Sequence, residues 1–285
     1  MAQRLPGLPL TGRAKAVLAD KQQIQALYLM TTTLIFSFTH RPLIPFAHDY
    51  AHGDTEPLHQ HDCAQLLHSL SGVVRVDTAA GCWVVPPGRG VWLPAGTPHA
   101  IRITGAVAAR TLFIDPLARA DLPAFCQIVQ ISPLLRELIV ASFSLAENYR
   151  AGSRDERIYE LILDEIRGMQ ALPFWLPEPQ SDALRLLCRQ IREAPAQVWG
   201  SEQAAGIVSL SERTLNRHFQ QQTQLSYGEW VRRARLMEAL VRLAQGQSVL
   251  RVALDLGYGS HSAFTAMFRR VMGVAPSDYF RDAER

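Results

Sequence analysis

The chain has 285 residues, of which 48% are hydrophobic and 19% are charged. This length and composition are typical of a globular protein with buried cores, and they favour two domains. The formal net charge of +3 is unevenly placed, because residues 181–285 contain 14 Arg and no Lys against 10 acidic residues. We therefore expect the C-terminal part to meet a partner that carries phosphate groups.

The sequence argues against a disulfide-stabilised protein and against a membrane protein. Four cysteines are scattered without a CxxC pair, which favours free thiols in a reducing cytosol. The most apolar N-terminal stretch, residues 24–38, is too short for a membrane-spanning helix and contains Gln and Thr. No clear signal-peptide cleavage site follows it. We expect a cytoplasmic protein without a membrane partner.

The first 115 residues divide into an extension and a strand-rich segment. Residues 1–40 show little patterning and are interpreted as an N-terminal extension. Residues 41–115 are rich in Val, Gly, Pro and Trp, in short runs that turn residues interrupt. Within them VVRV and CWVVP flank DTAAG, which predicts a β-hairpin. Short strands at this spacing are typical of a β-sandwich or a small barrel.

The pattern becomes helical in residues 116–172. Apolar residues recur at steps of three and four in SPLLRELIVASFSLAENY and in DERIYELILDEIRGMQ, which predicts two amphipathic helices. Such a pair offers a face for packing on the barrel, for a second copy of the chain, or for both. Three prolines in ALPFWLPEPQSD then exclude a helix and predict a linker at 173–182. Residues 183–285 are predicted to be almost entirely helical.

Two segments of this helical part share one pattern of spacing. AAGIVSLSERTLNRHFQQQTQLSYGEW aligns with VALDLGYGSHSAFTAMFRRVMGVAPSDYF if the second turn has one additional residue. Each segment predicts a short helix with a small residue, Ala205 or Ala253, then a tight turn, a capping Ser and a second helix. This pattern predicts a helix-turn-helix, whose second helix enters the major groove of DNA.

The second helix of each unit is predicted to have one apolar and one polar face. Leu215 and Phe219 lie on the apolar face of the first, and Phe264 and Phe268 on that of the second. Between the units, SYGEWVRRARLMEALVRLAQG predicts a single helix that begins with a capping box and ends at a Gly. We expect this helix to hold the two units about 34 Å apart, one turn of DNA.

These segments resemble the AraC/XylS family of transcription regulators over about residues 198–281. The resemblance rests on SERTLNRHF, VALDLGYGSHSAFTAMFRR and GVAPSDYF, in this order and at the family's spacing. It implies a unit that binds double-stranded promoter or operator DNA, and it suggests contact with RNA polymerase. The residues that it places at DNA are Ser211, Arg213, Thr214, Asn216, Arg217, Gln220, Arg232, Ser260, His261, Ser262, Thr265, Arg269 and Arg270. Among them Arg232, Arg269 and Arg270 are expected at phosphates, and the polar faces of the two second helices at base edges.

Two turn positions depart from the family pattern. Ser209 stands where the first turn usually has Gly, and Gln224 stands where Gly usually closes the recognition helix. Each would have to adopt a left-handed or distorted backbone, at a cost of about 1 kcal/mol. The alternative structure is a plain helical bundle with solvated arginines. The duplicated spacing, the caps and the basic charge together disfavour it.

The strand-rich segment contains GDTEPLHQHDCAQLLHSLSG, in which one residue separates His59 from His61 and Gln65 follows four residues later. Together with GRGVWLPAGTPH, which ends at His99, this stretch resembles the two cupin motifs, except that Gln65 replaces the usual Glu of the first and Ile103 the usual terminal Asn of the second. The resemblance implies a small cupin barrel. It also implies that His59, His61 and His99 converge inside the barrel from different strands. Alternation along a strand agrees for His59 and His61, because residues two apart face the same side.

Three interpretations of the histidine cluster remain open. The cluster holds a divalent transition metal such as Zn, Ni, Fe or Cu, or it forms a metal-free pocket that hydrogen-bonds a small molecule, or its members are ordinary strand residues. Gln65 would be a weak, neutral ligand in the first case. On a straight strand His68 faces away from His61 and is expected at the surface, whereas Trp83 and Trp92 are expected in the core.

The sequence therefore predicts an α+β chain, with a cupin β-barrel at 41–115 followed by an all-α domain with two helix-turn-helix motifs. We expect a homodimeric, one-component transcription regulator whose barrel binds a small-molecule or metal effector. The alternative from another class is a cupin-fold metalloenzyme with a helical dimerisation tail. It is disfavoured because the usual carboxylate ligand is missing and because a regulator needs a ligand that is bound rather than turned over.

Overall fold

The strands and helices come from a computed structural model that describes residues 17–18, 33–36, 38, 41–172 and 175–281. The predicted extension lies mostly outside these residues. The strands are β1 (Val17–Leu18), β2 (Thr33–Phe36), β3 (Leu43–Tyr50), β4 (Thr55–His61), β5 (Ala64–Ser69), β6 (Val73–Thr78), β7 (Gly81–Val85), β8 (Arg89–Leu93), β9 (His99–Thr104), β10 (Val107–Ile114), β11 (Gln127–Gln130), β12 (Ala171–Leu172) and β13 (Trp175–Pro177). The helices are α1 (Pro133–Ser142), α2 (Arg154–Arg167), α3 (Asp182–Glu193), α4 (Ser201–Ile207), α5 (Glu212–Thr223), α6 (Tyr227–Ala244), α7 (Val249–Asp255), α8 (His261–Met272) and α9 (Pro276–Arg281).

The strands form two sheets that share an apolar core. One sheet has the order β1-β2-β4-β9-β6-β7-β13 and the other has the order β12-β11-β8-β5-β10-β3. Val74 and Val85 from the first sheet and Val91 and Leu93 from the second are buried in the same cluster. The predicted hairpin is present as β6 and β7, which pair antiparallel. The predicted fold class, a cupin-like β domain followed by a helical domain, is confirmed.

The amphipathic pair α1 and α2 covers the outer face of the six-stranded sheet. Leu135 of α1 and Ile162 of α2 are buried with Leu66, Trp92 and Leu112 of the sheet. The apolar faces of the two helices therefore pack on the barrel of the same chain. The structure also adds strands β11 and β12 to a segment that the sequence predicts as helical, because these short runs become strands only by pairing with β8 and with each other.

The proline-rich linker contains a strand that joins the two domains. As predicted, its described residues before Asp182 form no helix, but Trp175, Leu176 and Pro177 pair with β7 of the barrel. On the other side, Trp230 of α6 donates a hydrogen bond from its indole Nε1 to the backbone oxygen of Pro177, over 2.7 Å. The linker is thus held by both domains.

The two helix-turn-helix units are α4–α5 and α7–α8. Ser211 accepts a hydrogen bond from the backbone of Thr214, and Ser260 accepts one from that of Ala263, so both are the predicted N-caps. The side chains on the predicted apolar faces are fully buried, namely those of Leu215, Phe219, Phe264 and Phe268. The capping box that begins α6 is present as well. The chain therefore carries the predicted duplicated unit.

Ser209 and Gln224, which replace the family's usual glycines, both adopt the predicted left-handed backbone conformation. Ser209 has a φ of 54° and Gln224 a φ of 60°, and both values lie in the left-handed region. The second unit has Gly257 and Gly273 there, with φ of 77° and 78°. Because a side chain at positive φ crowds its own backbone, the first unit carries strain that the second avoids.

We predict that Gln224→Gly raises the free energy of unfolding by roughly 0.5–1 kcal/mol, because Gly adopts the left-handed conformation without a steric cost. Chemical denaturation of the full chain measures this change. The matched control is Gln221→Gly, three residues earlier on the exposed side of α5. It should lower the free energy of unfolding by about 0.5–1 kcal/mol. Equal losses in both variants would contradict the assigned strain.

Candidate functional site

Three buried histidines converge inside the barrel. His59 on β4 lies directly opposite His99 on β9, and His61 follows two residues further along β4 on the same face. Their exposed fractions are 3%, 0% and 1% for His59, His99 and His61. One ring nitrogen of each histidine lies within 4.8 Å of those of the other two. The predicted convergence is therefore present.

Backbone carbonyl groups fix the orientation of each ring. The Nδ1 atoms of His59, His61 and His99 lie 2.8, 2.7 and 2.8 Å from the oxygens of Pro57, Cys63 and Thr97. Because a carbonyl oxygen only accepts hydrogen bonds, each Nδ1 carries the proton. In a neutral ring the lone pair is then on Nε2. This is the orientation that outer partners impose on metal-binding histidines.

Burial keeps the three rings neutral. It lowers the pKa of His59 and of His61 below the ordinary value of 6.5. It lowers the pKa of His99 to about 3, with a further contribution from the two neighbouring histidines. The cluster at neutral pH is therefore a set of uncharged nitrogen donors, which is the state in which imidazole binds a metal.

Gln65 joins the cluster from β5, as predicted. Its side-chain amide lies 2.9 Å from Nε2 of His61, and the residue is 2% exposed. Because Nδ1 of His61 carries the proton, Nε2 accepts in this contact, and the amide nitrogen of Gln65 is the group that can donate to it. A carboxamide at this position is polar but uncharged. The cluster therefore contains no negative charge from the residue that usually supplies it.

A carboxylate enters the site from another residue, Glu56, which the sequence analysis missed. Its Oε2 lies 3.7 Å from Nε2 of His59, and Tyr50 donates a hydrogen bond to its Oε1. Burial raises the pKa of Glu56 to about 7, partly opposed by that hydrogen bond. Strict alternation places residues three apart on opposite faces of a strand. A register shift between Glu56 and His59 brings both to the same face.

The expectation for His68 is wrong, because this side chain is only 1% exposed. As predicted, it lies on the face of β5 that points away from His61. This outer face is not exposed to solvent, because α1 and α2 pack on it. Its Nδ1 lies 3.1 Å from the backbone oxygen of Arg89. Trp83 and Trp92 are in the core, as predicted, with exposures of 2% and 1%.

The second helices of both units present polar side chains to solvent. On α5 these are Arg213, Arg217 and Gln220, which are exposed, and Thr214 and Asn216, which are half-buried. On α8 the exposed side chains are His261, Ser262, Arg269 and Arg270, and Thr265 is half-buried. Each helix therefore has a polar face opposite its buried aromatic residues, as predicted.

Asn216 differs from its neighbours because its amide is used within the domain. Its Nδ2 donates to the backbone oxygen of Glu212 over 3.1 Å, and its Oδ1 accepts from the backbone nitrogen of Tyr227 over 3.3 Å. The Nδ2 contact lies within α5, and the Oδ1 contact connects α5 to the start of α6. This arrangement favours a positioning role for Asn216.

Arginines gather where α6 passes α8. Arg232, Arg233 and Arg270 line a cleft of about 360 Å³, together with Glu229 and apolar residues. Arg233 was not among the sequence-predicted residues, although it is adjacent to Arg232 in the chain. Guanidinium groups that face one cleft are suited to the phosphates of a nucleic-acid backbone.

The fold and these two sites define a transcription regulator with a separate ligand-binding domain. Residues 204–282 match a family profile described as a helix-turn-helix domain, and residues 45–162 match one described as an AraC-like ligand binding domain. The chain belongs to the AraC family of transcription regulators, as its motifs predict. Among the described residues, no helix is both long and apolar enough to cross a membrane.

Two relatives found by sequence are named as transcription regulators. The chain is 34% identical over 226 residues to the HTH-type transcriptional regulator NimR of Escherichia coli K12, which covers 79% of this chain and 82% of NimR. An uncharacterized HTH-type transcriptional regulator of Haemophilus influenzae is 36% identical over 90 residues, 31% of this chain and 30% of that protein. A solved structure of ToxT from Vibrio cholerae aligns with 85% of this chain and 98% of its own, at 12% identity and a TM-score of 0.36.

We predict that His68→Gln flattens the dependence of stability on acid pH. Burial, with nearby arginines, lowers the pKa of His68 from 6.5 to about 4. Below pH 6.5 His68 is therefore protonated in the unfolded chain, whereas in the folded chain it stays neutral down to about pH 4. As the pH falls from 6.5 to about 4, His68 therefore lowers the free energy of unfolding by about 1.4 kcal/mol per pH unit. Denaturation at pH 7, 6 and 5 measures the slope; an unchanged slope in the variant would contradict the assignment.

Proposed function

We propose that this regulator binds operator DNA through α5 and α8, and that His59, His61 and His99 hold a divalent transition metal in its ligand-binding domain. The observation that supports the metal is the common orientation of the three rings. Each Nδ1 donates to a backbone carbonyl, so that the lone pair of each ring is on Nε2, and one nitrogen of each ring lies within 4.8 Å of those of the other two. A bound ion would attract these lone pairs and act as a Lewis acid toward a ligand of the domain.

The interpretation of the cluster as ordinary strand residues fits less well. The Nε2 atom of His99 is buried and has no hydrogen-bond partner among the described residues. A buried polar atom without a partner costs about 1–3 kcal/mol, which argues against an ordinary strand residue. Zn, Ni and Fe bind neutral imidazole through such a nitrogen. The ion would be either the effector itself or the anchor for a small-molecule effector.

The metal serves binding rather than catalysis in this proposal. The cluster lies on β4 and β9, inside a domain whose profile is named for ligand binding. The relatives are named as transcription regulators. These observations favour a regulator that is not an enzyme over a cupin-fold metalloenzyme, and they agree with a cytoplasmic location.

The DNA interface divides into base contacts and phosphate contacts. We assign base contacts to Arg213, Arg217 and Gln220 of α5 and to His261, Ser262 and Thr265 of α8, because these side chains follow one face of each helix. We assign phosphate contacts to Arg232, Arg269 and Arg270. We also assign one to Arg233, because it lines the same cleft as Arg232 and Arg270. Ser211, Thr214, Asn216 and Ser260 hold the helices in place at that interface.

Two further partners belong to the same proposal. The outer sides of α1 and α2 expose Leu134, Val140 and Leu161, which offer a surface for a second copy of the chain. A homodimer would place two such DNA-binding domains on one operator. Contact with RNA polymerase would follow from operator sites beside a promoter.

We predict that Arg217→Ala weakens binding to the operator by about 1–3 kcal/mol and relaxes the base preference at one position. The reason is the loss of an exposed guanidinium group from the polar face of α5. A binding assay with a library of single-base operator variants measures both effects. The matched control, Arg251→Ala, removes an exposed arginine of α7 that pairs with Asp255, and it should leave base preference unchanged. Equal affinity and preference in the Arg217 variant would reject the contact.

We also predict that His99→Ala abolishes the rise in melting temperature that Zn²⁺ causes in the full chain, because it removes one of three nitrogen ligands. The same variant should lose any effect of Zn²⁺ on operator affinity while it still binds the operator. The control is His52→Ala, an exposed histidine whose ring accepts a hydrogen bond from Gly105. A Zn²⁺-induced rise in the His99 variant as large as in the parent chain would remove His99 from the site.

A further inference from the structure

We propose that Glu56 is the anionic fourth ligand of the metal, in place of the carboxylate that Gln65 lacks. This inference rests on the proposed metal site and names its complete donor set: three imidazole nitrogens and one carboxylate oxygen. The carboxylate would come from the start of β4 rather than from β5, where the cupin motif usually has it. Its new position is defined by an irregularity in the pairing of β4 with β9.

The irregularity is one additional residue in β4. Ile101 and His99 of β9, two residues apart, pair with Glu56 and His59 of β4, three residues apart. The additional residue shifts the alternation of the strand, so that Glu56 faces the same side as His59. Pro57 and Leu58, which lie between them, are exposed. The bulge therefore directs an acidic side chain into the barrel without moving the histidines.

The carboxylate is positioned as a monodentate ligand would be. Tyr50 donates to its Oε1, which fixes the rotation of the group. The other oxygen, Oε2, is buried and has no hydrogen-bond donor among the described residues. It points at the cluster, 3.7 Å from Nε2 of His59. Ligand atoms about 2.0–2.1 Å from a tetrahedral ion lie roughly 3.4 Å apart, so a shift of a few tenths of an ångström completes the contact.

The charge of the site supports the same assignment. Three neutral imidazoles leave a divalent ion with its full +2 charge inside the barrel, where such a charge is costly. A carboxylate from Glu56 halves that charge, whereas the carboxamide of Gln65 does not change it. The mixed nitrogen and oxygen donor set suits divalent first-row ions such as Zn²⁺, Ni²⁺ and Fe²⁺, and not Cu⁺, which prefers sulfur ligands.

The test is a measurement of Co²⁺ and Zn²⁺ dissociation constants for the full chain and its variants. Glu56→Gln keeps the size of the side chain and its contact with Tyr50 but removes the charge. We expect it to weaken binding of both ions 10- to 100-fold and to change the visible absorption of bound Co²⁺. The control is Glu137→Gln, an exposed carboxylate on α1, which should bind as the parent chain does. The double variant E56Q/Q65E restores one carboxylate and should recover at least tenfold of the lost affinity.

The outcomes separate this inference from the proposal on which it rests. If Glu56→Gln binds Co²⁺ as tightly as the parent chain while His99→Ala does not, the histidine site stands and Glu56 is not its ligand. If the parent chain binds neither Co²⁺ nor Zn²⁺, the metal site itself is wrong. Operator binding by each variant, measured in the presence of a chelator, verifies that the substitution has not unfolded the chain.

Discussion

The pairing of β4 with β9 is the constraint on which the proposed sensor depends. This register places His59 opposite His99 and leaves His61 on the same face. A slip of one residue would turn the histidines of β4 away from the barrel interior. The bulge brings Glu56 to the same face. One local irregularity therefore adds a carboxylate to a cluster that otherwise contains three neutral imidazole donors.

The same sheet connects the cluster to the DNA-binding domain. From β9 the order of hydrogen-bonded strands runs through β6 and β7 to β13. Pro177 at the end of β13 accepts a hydrogen bond from Trp230 of α6, the helix between the two reading units. Arg89 of β8 also lies over the ring of Tyr279 in α9, 5.1 Å from its centre. A ligand that favours one arrangement of these contacts changes operator affinity, since it stabilises one relation of the domains over another.

Local rules predicted most of the helical domain, and non-local pairing limited the prediction of the barrel site. Caps, turns and aromatic spacing lie within a few residues of one another, so even the left-handed backbone at Ser209 and Gln224 followed from the sequence. The common face of His59 and His61 followed from alternation along one strand, and the convergence with His99 followed from the resemblance to the cupin motifs. Glu56 was missed because a bulge is a property of two paired strands. His68 was misplaced because helices distant in sequence cover its face of the sheet.

The most direct test of the account is operator binding by the purified full-length chain, with DNA from upstream of its own and neighbouring genes. The measurement is made on the chain as purified, after treatment with a strong chelator, and after Zn²⁺ is returned. The account predicts specific binding whose affinity changes at least about fivefold on chelation and returns with the metal. Specific binding that is the same in all three samples would contradict a metal-dependent sensor.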